Sequence, residues 1–152
     1  MTRARIAVPA VLVALLGVAV LAGGNALAGT SDTAERPLGP GEVTVTLTIR
    51  HSRFSPDHLS VRPGTAMRFI VRNMDPIGHE LIVGDAEVHR RHETGTEPAH
   101  APRPGEVTVP AQTTAETTFR FGDTNDATVV YACHLPGHLR YGMSGEIDIV
   151  MS

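Results

Sequence analysis

Short runs in which apolar and polar residues alternate cover most of the chain after Glu42. In the first run, Val43, Val45, Leu47 and Ile49 are apolar, and threonines separate them. A period of two places successive side chains on opposite faces, so this run predicts a strand with one buried face. Later runs of similar character predict strands over residues 57–62, 65–73, 81–83, 106–109, 114–121, 127–133 and 146–150.

About eight short strands in roughly 110 residues, separated by Pro- and Gly-containing turns, are typical of an antiparallel β-sandwich or barrel. The sequence therefore predicts an all-β domain. Residues 84–105 do not fit the alternation, because they are polar and rich in His, Glu and Pro. We predict a long loop there, with a helical turn around 86–92. Loops of this length inside a domain are usually functional or mobile.

The first 28 residues have the layout of a secretory signal peptide. Two arginines precede an apolar run over 6–22, and Ala26-Leu27-Ala28 offers an A-x-A cleavage pattern. The run is at the short edge of what spans a bilayer, and Pro9 interrupts it. Cleavage after Ala28 is thus favoured over an uncleaved membrane anchor. We predict a signal peptide (1–28), a linker (29–41) and one domain (42–152).

Both outcomes place the domain outside the cytoplasm, so we predict a secreted or periplasmic protein, or one on the outer face of the cytoplasmic membrane. Removal of residues 1–28 leaves 11 Arg against 16 acidic residues, a formal charge of −5. A mildly acidic domain lacks the basic surface that nucleic acids require. We therefore expect no nucleic-acid partner, membrane contact only if the N-terminal segment stays uncleaved, and a monomer.

Cys133 is the one cysteine of the chain. An exported protein with one cysteine forms no internal disulfide, so Cys133 is an inert thiol, an intermolecular partner or a metal ligand. His138 and Met143 follow it in a C-x4-H-x4-M pattern. Two His and one Cys with a weak axial Met form the ligand set of blue-copper electron-transfer sites.

The chemistry of this set explains its use in electron transfer. Thiolate and thioether donors favour Cu(I), whereas imidazole also suits Cu(II), so a mixed set binds both oxidation states. His79 is the candidate for the remaining ligand. It opens the strand of residues 81–83, and the start of that strand can lie beside the end of the strand that bears Cys133.

Other histidines compete for these roles. Adjacent strand residues point to opposite faces, so Cys133 and His134 are not expected to bind one ion, and His134 is expected to be exposed or hydrogen-bonded. His51 and His58 are interpreted as surface residues. For Met143 the alternative is a core side chain.

A second group of polar residues occupies the predicted loop. It could bind a second metal through His89, His92 and His100, with Glu87, Glu93 and Glu97 nearby. A solvated loop is the favoured interpretation, because the sequence shows no strand or helix that would fix these side chains.

The copper-ligand pattern resembles that of cupredoxins, of either the rusticyanin- and sulfocyanin-like or the plastocyanin- and azurin-like branch. CHLPGHLRYGM (133–143) is similar to their copper loop, N-x5-HE (73–80) to their upstream histidine region, and residues 54–73 to their core strands. The resemblance covers about 42–152. It implies a Greek-key β-sandwich, one type 1 copper ion and electron transfer through the exposed edge of His138. Glu80 departs from the family, where several members carry Asn or Ser; a carboxylate there could lower the potential or point to solvent.

The resulting hypothesis is a one-electron Cu(I)/Cu(II) carrier that exchanges electrons with redox partner proteins and is not an enzyme. One alternative is a copper storage or delivery protein. The other is a small copper oxidoreductase, such as an oxidase or nitrite reductase. Those enzymes need further copper centres, usually built from His-x-His pairs, and the sequence contains no such pair.

Overall fold

The computed structural model describes residues 36–93, 103–122 and 128–151. The predicted signal peptide and the first residues of the predicted linker lie outside these ranges. The described residues form nine strands and one helix. They are β1 (Gly41–Ile49), β2 (Phe54–Ser55), β3 (His58–Val61), β4 (Thr65–Asn73), β5 (His79–Gly84), α1 (Ala86–Glu93), β6 (Glu106–Val109), β7 (Thr114–Arg120), β8 (Thr128–Ala132) and β9 (Ser144–Ile149).

The strands form two sheets, in the orders β2-β1-β4-β7 and β3-β9-β8-β5-β6. The predicted all-β sandwich is therefore confirmed. Its sheets are mixed rather than wholly antiparallel, because β1 pairs with β4 in parallel and β3 pairs with β9 in parallel. The chain leaves β1, contributes β3 to the other sheet and only then returns as β4. That excursion lets β4 run in the same direction as its neighbour.

The core consists of the inward-facing residues of both sheets. In β4, alternate residues are buried, among them Met67, Phe69 and Val71, as the period of two predicts. Tyr131 of β8 is fully buried, and its hydroxyl donates a 2.7 Å hydrogen bond to the carbonyl oxygen of Pro56. Complete burial of each large apolar side chain contributes about 1.5–3 kcal/mol. This core fixes the strand ends from which the candidate site is built.

Three of these strand ends meet at one end of the larger sheet. Ala132, the last residue of β8, pairs with Ser144 at the start of β9 and with Ile82 of β5. Because β8 is antiparallel to both neighbours, its end lies beside their beginnings. The loop that joins β8 to β9 begins here, and it carries three of the four predicted ligands. The fourth, His79, is the first residue of β5.

The predicted long loop contains helix α1, which confirms the helical turn expected around 86–92. Asp85 precedes the helix, and its Oδ1 accepts a 2.9 Å hydrogen bond from the N–H of Val88, as an N-cap residue does. The expectation that no regular element fixes His89 and His92 is wrong, because both lie on this helix. Glu97 and His100 lie outside the described residues. Within the described ranges, no helix is long and apolar enough to cross a membrane.

Candidate metal centre

His79, Cys133 and His138 form a compact cluster, and one potential ligand atom from each lies within 4.8 Å of the other two. The Nδ1 atoms of the two imidazoles are 3.2 Å apart, and the sulfur of Cys133 is 3.2 Å from Nδ1 of His138. His79 and Cys133 are fully buried, whereas His138 is partly exposed. The structure thus brings together three of the four residues predicted as ligands.

Met143, the fourth predicted ligand, is fully buried at the end of the same loop. Its N–H donates to the carbonyl oxygen of His138 at 3.0 Å, and its own carbonyl oxygen accepts a 3.1 Å hydrogen bond from the N–H of Cys133. These two bonds join both ends of the loop to its middle. The backbone of Met143 therefore holds Cys133 and His138 in place.

The loop between Cys133 and Met143 is a chain of tight turns. His138 donates its N–H to the carbonyl oxygen of Leu135 at 2.9 Å, and Tyr141 donates to that of Gly137 at 3.0 Å. Gly137 has φ of +87°, in the left-handed region that side chains rarely adopt, so glycine suits this position. These hydrogen bonds fix the path of the backbone between Cys133 and Met143.

Asp75 is a functional residue that the sequence interpretation missed. Its Oδ2 lies 3.1 Å from Nε2 of His79, and both partners are buried. Asp75 also accepts hydrogen bonds from the N–H groups of His51 (2.7 Å) and Ser52 (2.8 Å). The available signal was an Asp four residues before a candidate histidine, in a turn that follows a strand.

The charges of this pair follow from their surroundings. Burial raises the pKa of Asp75, but its hydrogen bonds from Ser52, His51 and His79 outweigh burial and leave that pKa below its usual value. Burial lowers the pKa of His79, against the raising effect of the hydrogen bond to Asp75. His79 is therefore neutral with its Nε2–H donated to the carboxylate, and Nδ1 presents a lone pair to the cluster. A carboxylate behind a ligating imidazole is the usual partner that fixes ring and tautomer.

The backbone N–H groups of Glu80 and Leu135 interact with the sulfur of Cys133. Burial raises the pKa of this thiol, the two N–H groups lower it, and the carboxylate of Glu80 raises it again. Glu80 does not point away into solvent: its Oε1 accepts a 2.8 Å hydrogen bond from the N–H of His134. Although the residue departs from the family pattern, it is bonded to the loop.

His51, His58 and His134 lie where the sequence predicted. His51 and His58 are exposed. His134 lies apart from the cluster, and its Nε2 is 2.9 Å from Nδ1 of His89. Burial, followed by the charges of His89 and His92, lowers the pKa of His134 to about 4.

The three donors fit a copper ion. Two donors that each lie about 2.1–2.3 Å from a shared ion, at trigonal or tetrahedral angles, are roughly 3.4–3.9 Å apart. The 3.2 Å separations observed here are close to that range. One thiolate and two imidazoles form a soft set that suits copper better than magnesium, calcium or manganese.

No protein-family model matches the chain. The copper-resistant cuproprotein CopI of Rubrivivax gelatinosus is 30% identical over 137 residues, which is 83% of this chain and 82% of that protein. The chain belongs to the CopI family of copper-resistant cuproproteins.

The fold of this CopI family member matches solved structures of cupredoxins. Auracyanin B superposes with a TM-score of 0.60 at 20% identity, over 75% of this chain and 92% of that one. Auracyanin A, described as a "blue" copper protein from Chloroflexus aurantiacus, superposes with a TM-score of 0.57 at 21% identity, over 72% of this chain and all of that one. The cupredoxin fold expected from the sequence is therefore confirmed.

Proposed function

We propose that this chain is an exported copper protein that binds one type 1 copper ion through His79, Cys133, His138 and Met143 and carries single electrons. The observation that supports this proposal best is the buried cluster of two imidazoles and one thiol at the end of a cupredoxin sandwich. When bound, copper supplies the one-electron Cu(I)/Cu(II) couple, and the chain supplies a fixed set of donors.

Each surrounding group has a defined task in this proposal. Asp75 holds the ring of His79 and its tautomer, so that Nδ1 faces the ion in both oxidation states. The N–H groups of Glu80 and Leu135 stabilise negative charge on the sulfur of Cys133. Because these bonds are present before the metal binds, little rearrangement accompanies gain or loss of an electron.

Electron exchange is assigned to His138, since it is the one partly exposed residue of the cluster. Exposed apolar side chains lie on the segments that carry the site, among them Tyr141 (74% exposed) and Ile77 (47%). Small apolar contacts suit weak, transient encounters between redox proteins. We propose that redox partner proteins dock here on a monomer.

A copper-storage or delivery role is the second candidate, and the relative from Rubrivivax gelatinosus favours it because its name states copper resistance. Such a protein would bind Cu(I) tightly, and the bound ion would not need to change its oxidation state. The two roles differ in how the bound ion responds to an oxidant. An enzymatic role is not proposed, because a His2Cys site capped by a methionine leaves no open position for a substrate.

The deciding experiment is to load the purified mature protein with one equivalent of Cu(II) and record its visible spectrum during reduction and reoxidation. A carrier is expected to show an intense Cu(II)–thiolate band that disappears with one electron per copper and returns fully on oxidation. A colourless protein that retains Cu(I) against oxidants would favour storage instead. Substantial oxidase or nitrite-reductase turnover would contradict the carrier.

A further inference from the structure

Three exposed arginines, Arg50, Arg53 and Arg140, lie at the end of the sandwich that carries the copper loop. Arg50 and Arg53 bound the turn between β1 and β2, whereas Arg140 follows His138 by two positions. Among the residues that the structure describes, none of the three forms an ion pair with a carboxylate. Their charges therefore face solvent beside the candidate metal centre.

Hydrogen bonds tie the turn between β1 and β2 to that centre. Arg50 and Arg53 close the turn, because each donates its backbone N–H to the carbonyl oxygen of the other, at 3.0 and 3.1 Å. The carboxylate of Asp75, which also bonds to His79, accepts the N–H groups of the two residues between these arginines. One buried side chain thus sets the position of the turn relative to His79.

The guanidinium group of Arg53 lies against the copper loop at Gly142. A Cβ atom placed on Gly142 would be 3.6 Å from the central carbon and 3.6 and 3.7 Å from the terminal nitrogens, so the plane of the group faces the loop. Its Nη1 donates a 3.2 Å hydrogen bond to the carbonyl oxygen of Ser52. Because the planar fork of an arginine is already oriented, it loses less freedom for each hydrogen bond that it forms with a carboxylate.

Few carboxylates offset these charges at the copper end. Asp57 and Asp75 are the acidic residues of the segments that join the strands there, and Asp75 is buried behind His79. These segments are residues 50–57, 74–78, 110–113 and 133–143. The mature chain has a formal charge of −5, so the local charge at this end is opposite in sign to the net charge.

We propose that Arg50, Arg53 and Arg140, here called the arginine surface, bind a redox partner protein that presents carboxylates around its own redox centre. The inference rests on the proposed carrier function and adds the charge of the partner. Arginine binds a carboxylate through two parallel hydrogen bonds, which fix orientation as well as distance. Such pairs would hold the partner over His138, the assigned point of electron exchange. Complementary charge at an interface also raises the rate of association.

The test uses two small redox probes in place of the unidentified partner: hexacyanoferrate(III), an anion, and tris(phenanthroline)cobalt(III), a cation. Each probe takes one electron from the Cu(I) protein, which becomes the Cu(II) protein, while iron or cobalt passes from the +3 to the +2 state. Stopped-flow absorption at the Cu(II)–thiolate band gives the second-order rate constant for each probe.

The effect of salt on these rate constants separates the arginine surface from the net charge. Between about 0.1 M and about 1 M salt the Debye length falls from about 10 Å to about 3 Å, so charges far from the contact are screened throughout. The net charge of −5 predicts that salt accelerates the reaction with the anion. The arginine surface predicts the reverse, a fall of at least about threefold, and an increase for the cation. Acceleration of the reaction with the anion would overturn the proposal.

The decisive variant is Arg53→Gln/Arg140→Gln, which should lower the rate constant for the anion at least threefold and leave the visible band unchanged. The matched control is Arg36→Gln/Arg120→Gln. It removes the same charge from two exposed arginines at the opposite end of the sandwich and should change the rate constant less than 1.5-fold. Equal effects of the two variants would overturn the proposal. If the first variant does not fold, Arg140→Gln replaces it and should lower the same rate constant at least 1.5-fold.

Failure of the carrier function would give a different result, because the Cu(I) protein would then react with neither probe. The arginine surface is tested in that case by nuclear magnetic resonance of the Cu(I) protein with hexacyanochromate(III), a paramagnetic anion that exchanges no electrons with it. Broadening of the amide signals of residues 50–53 and 140–142 is expected. Broadening spread evenly over the surface would overturn the proposal.

Discussion

The two imidazole pairs of this molecule have similar internal distances and different surroundings. His79 and His138 lie 3.2 Å apart at Nδ1, beside a buried sulfur and in front of a carboxylate. His89 and His134 lie 2.9 Å apart, with a backbone carbonyl behind His89 and no sulfur donor among the described residues around them. The difference shows that two close imidazoles do not make a redox site by themselves: the thiol and the carboxylate beside His79 and His138 suit that pair to copper.

The peptide between Cys133 and His134 separates the two environments. On one side, a soft thiol is buried with its N–H donors. On the other, the ring of His134 packs against helix α1. The first pair is therefore expected to give coloured copper with fast electron exchange, whereas the second pair lacks the thiolate on which that colour depends.

The largest expected effect is that of Cys133→Ser. Loss of the thiolate removes the charge-transfer transition, so the intense visible band should vanish completely at the first pair. A variant that keeps the visible band would show that the sulfur of Cys133 is not a ligand.

A smaller effect is expected from Asp75→Asn. Neutralising the carboxylate weakens its hydrogen bonds to His79, His51 and Ser52, and loss of such a partner typically lowers metal affinity 10- to 100-fold. Competition with a chelator measures this affinity at the visible band. Asp148→Asn, at a partly exposed carboxylate on β9, is the matched control and should change this affinity less than twofold. Equal affinity in both variants would show that Asp75 does not position the ligand.

The smallest effect is expected from Met143→Leu. The two side chains have similar volumes, so the buried position should lose less than about 1.5 kcal/mol of unfolding free energy. Copper should remain bound, and its reduction potential should rise because a donor to Cu(II) is lost. Voltammetry on the variant and the wild-type protein gives the difference. An unchanged potential would show that Met143 is core packing and not an axial ligand.

Much of the fold could be predicted from the sequence, because the period of two and the turn residues are local signals. The proximity of Cys133 to His138 could be predicted for the same reason, since one short loop carries both residues. The pairing with His79 could be proposed only from the general geometry of strand ends. The parallel pairing of β1 with β4 could not be predicted, because register and direction depend on contacts between distant segments.

Asp75 and the His89–His134 pair were missed for a related reason. Asp75 matters through its bonds to residues 51 and 52, which lie more than twenty positions earlier in the chain. His89 and His134 are 45 positions apart. The helix that presents His89 has few apolar residues and no buried one, so its periodicity is weak. Its strongest local sign is Asp85, a common N-cap residue.

The separation of His79 from His138 by 59 positions also has a consequence for folding kinetics. Closing a loop of that length costs chain entropy, which is offset only when β5 has paired with β8. The fragment from Cys133 to Met143 is expected to bind a soft ion earlier, since the three proposed ligands that it carries are close in sequence. When the protein refolds with copper present, we therefore expect copper to bind before the visible band appears. The delay between the two events would measure how long β5 takes to pair with β8.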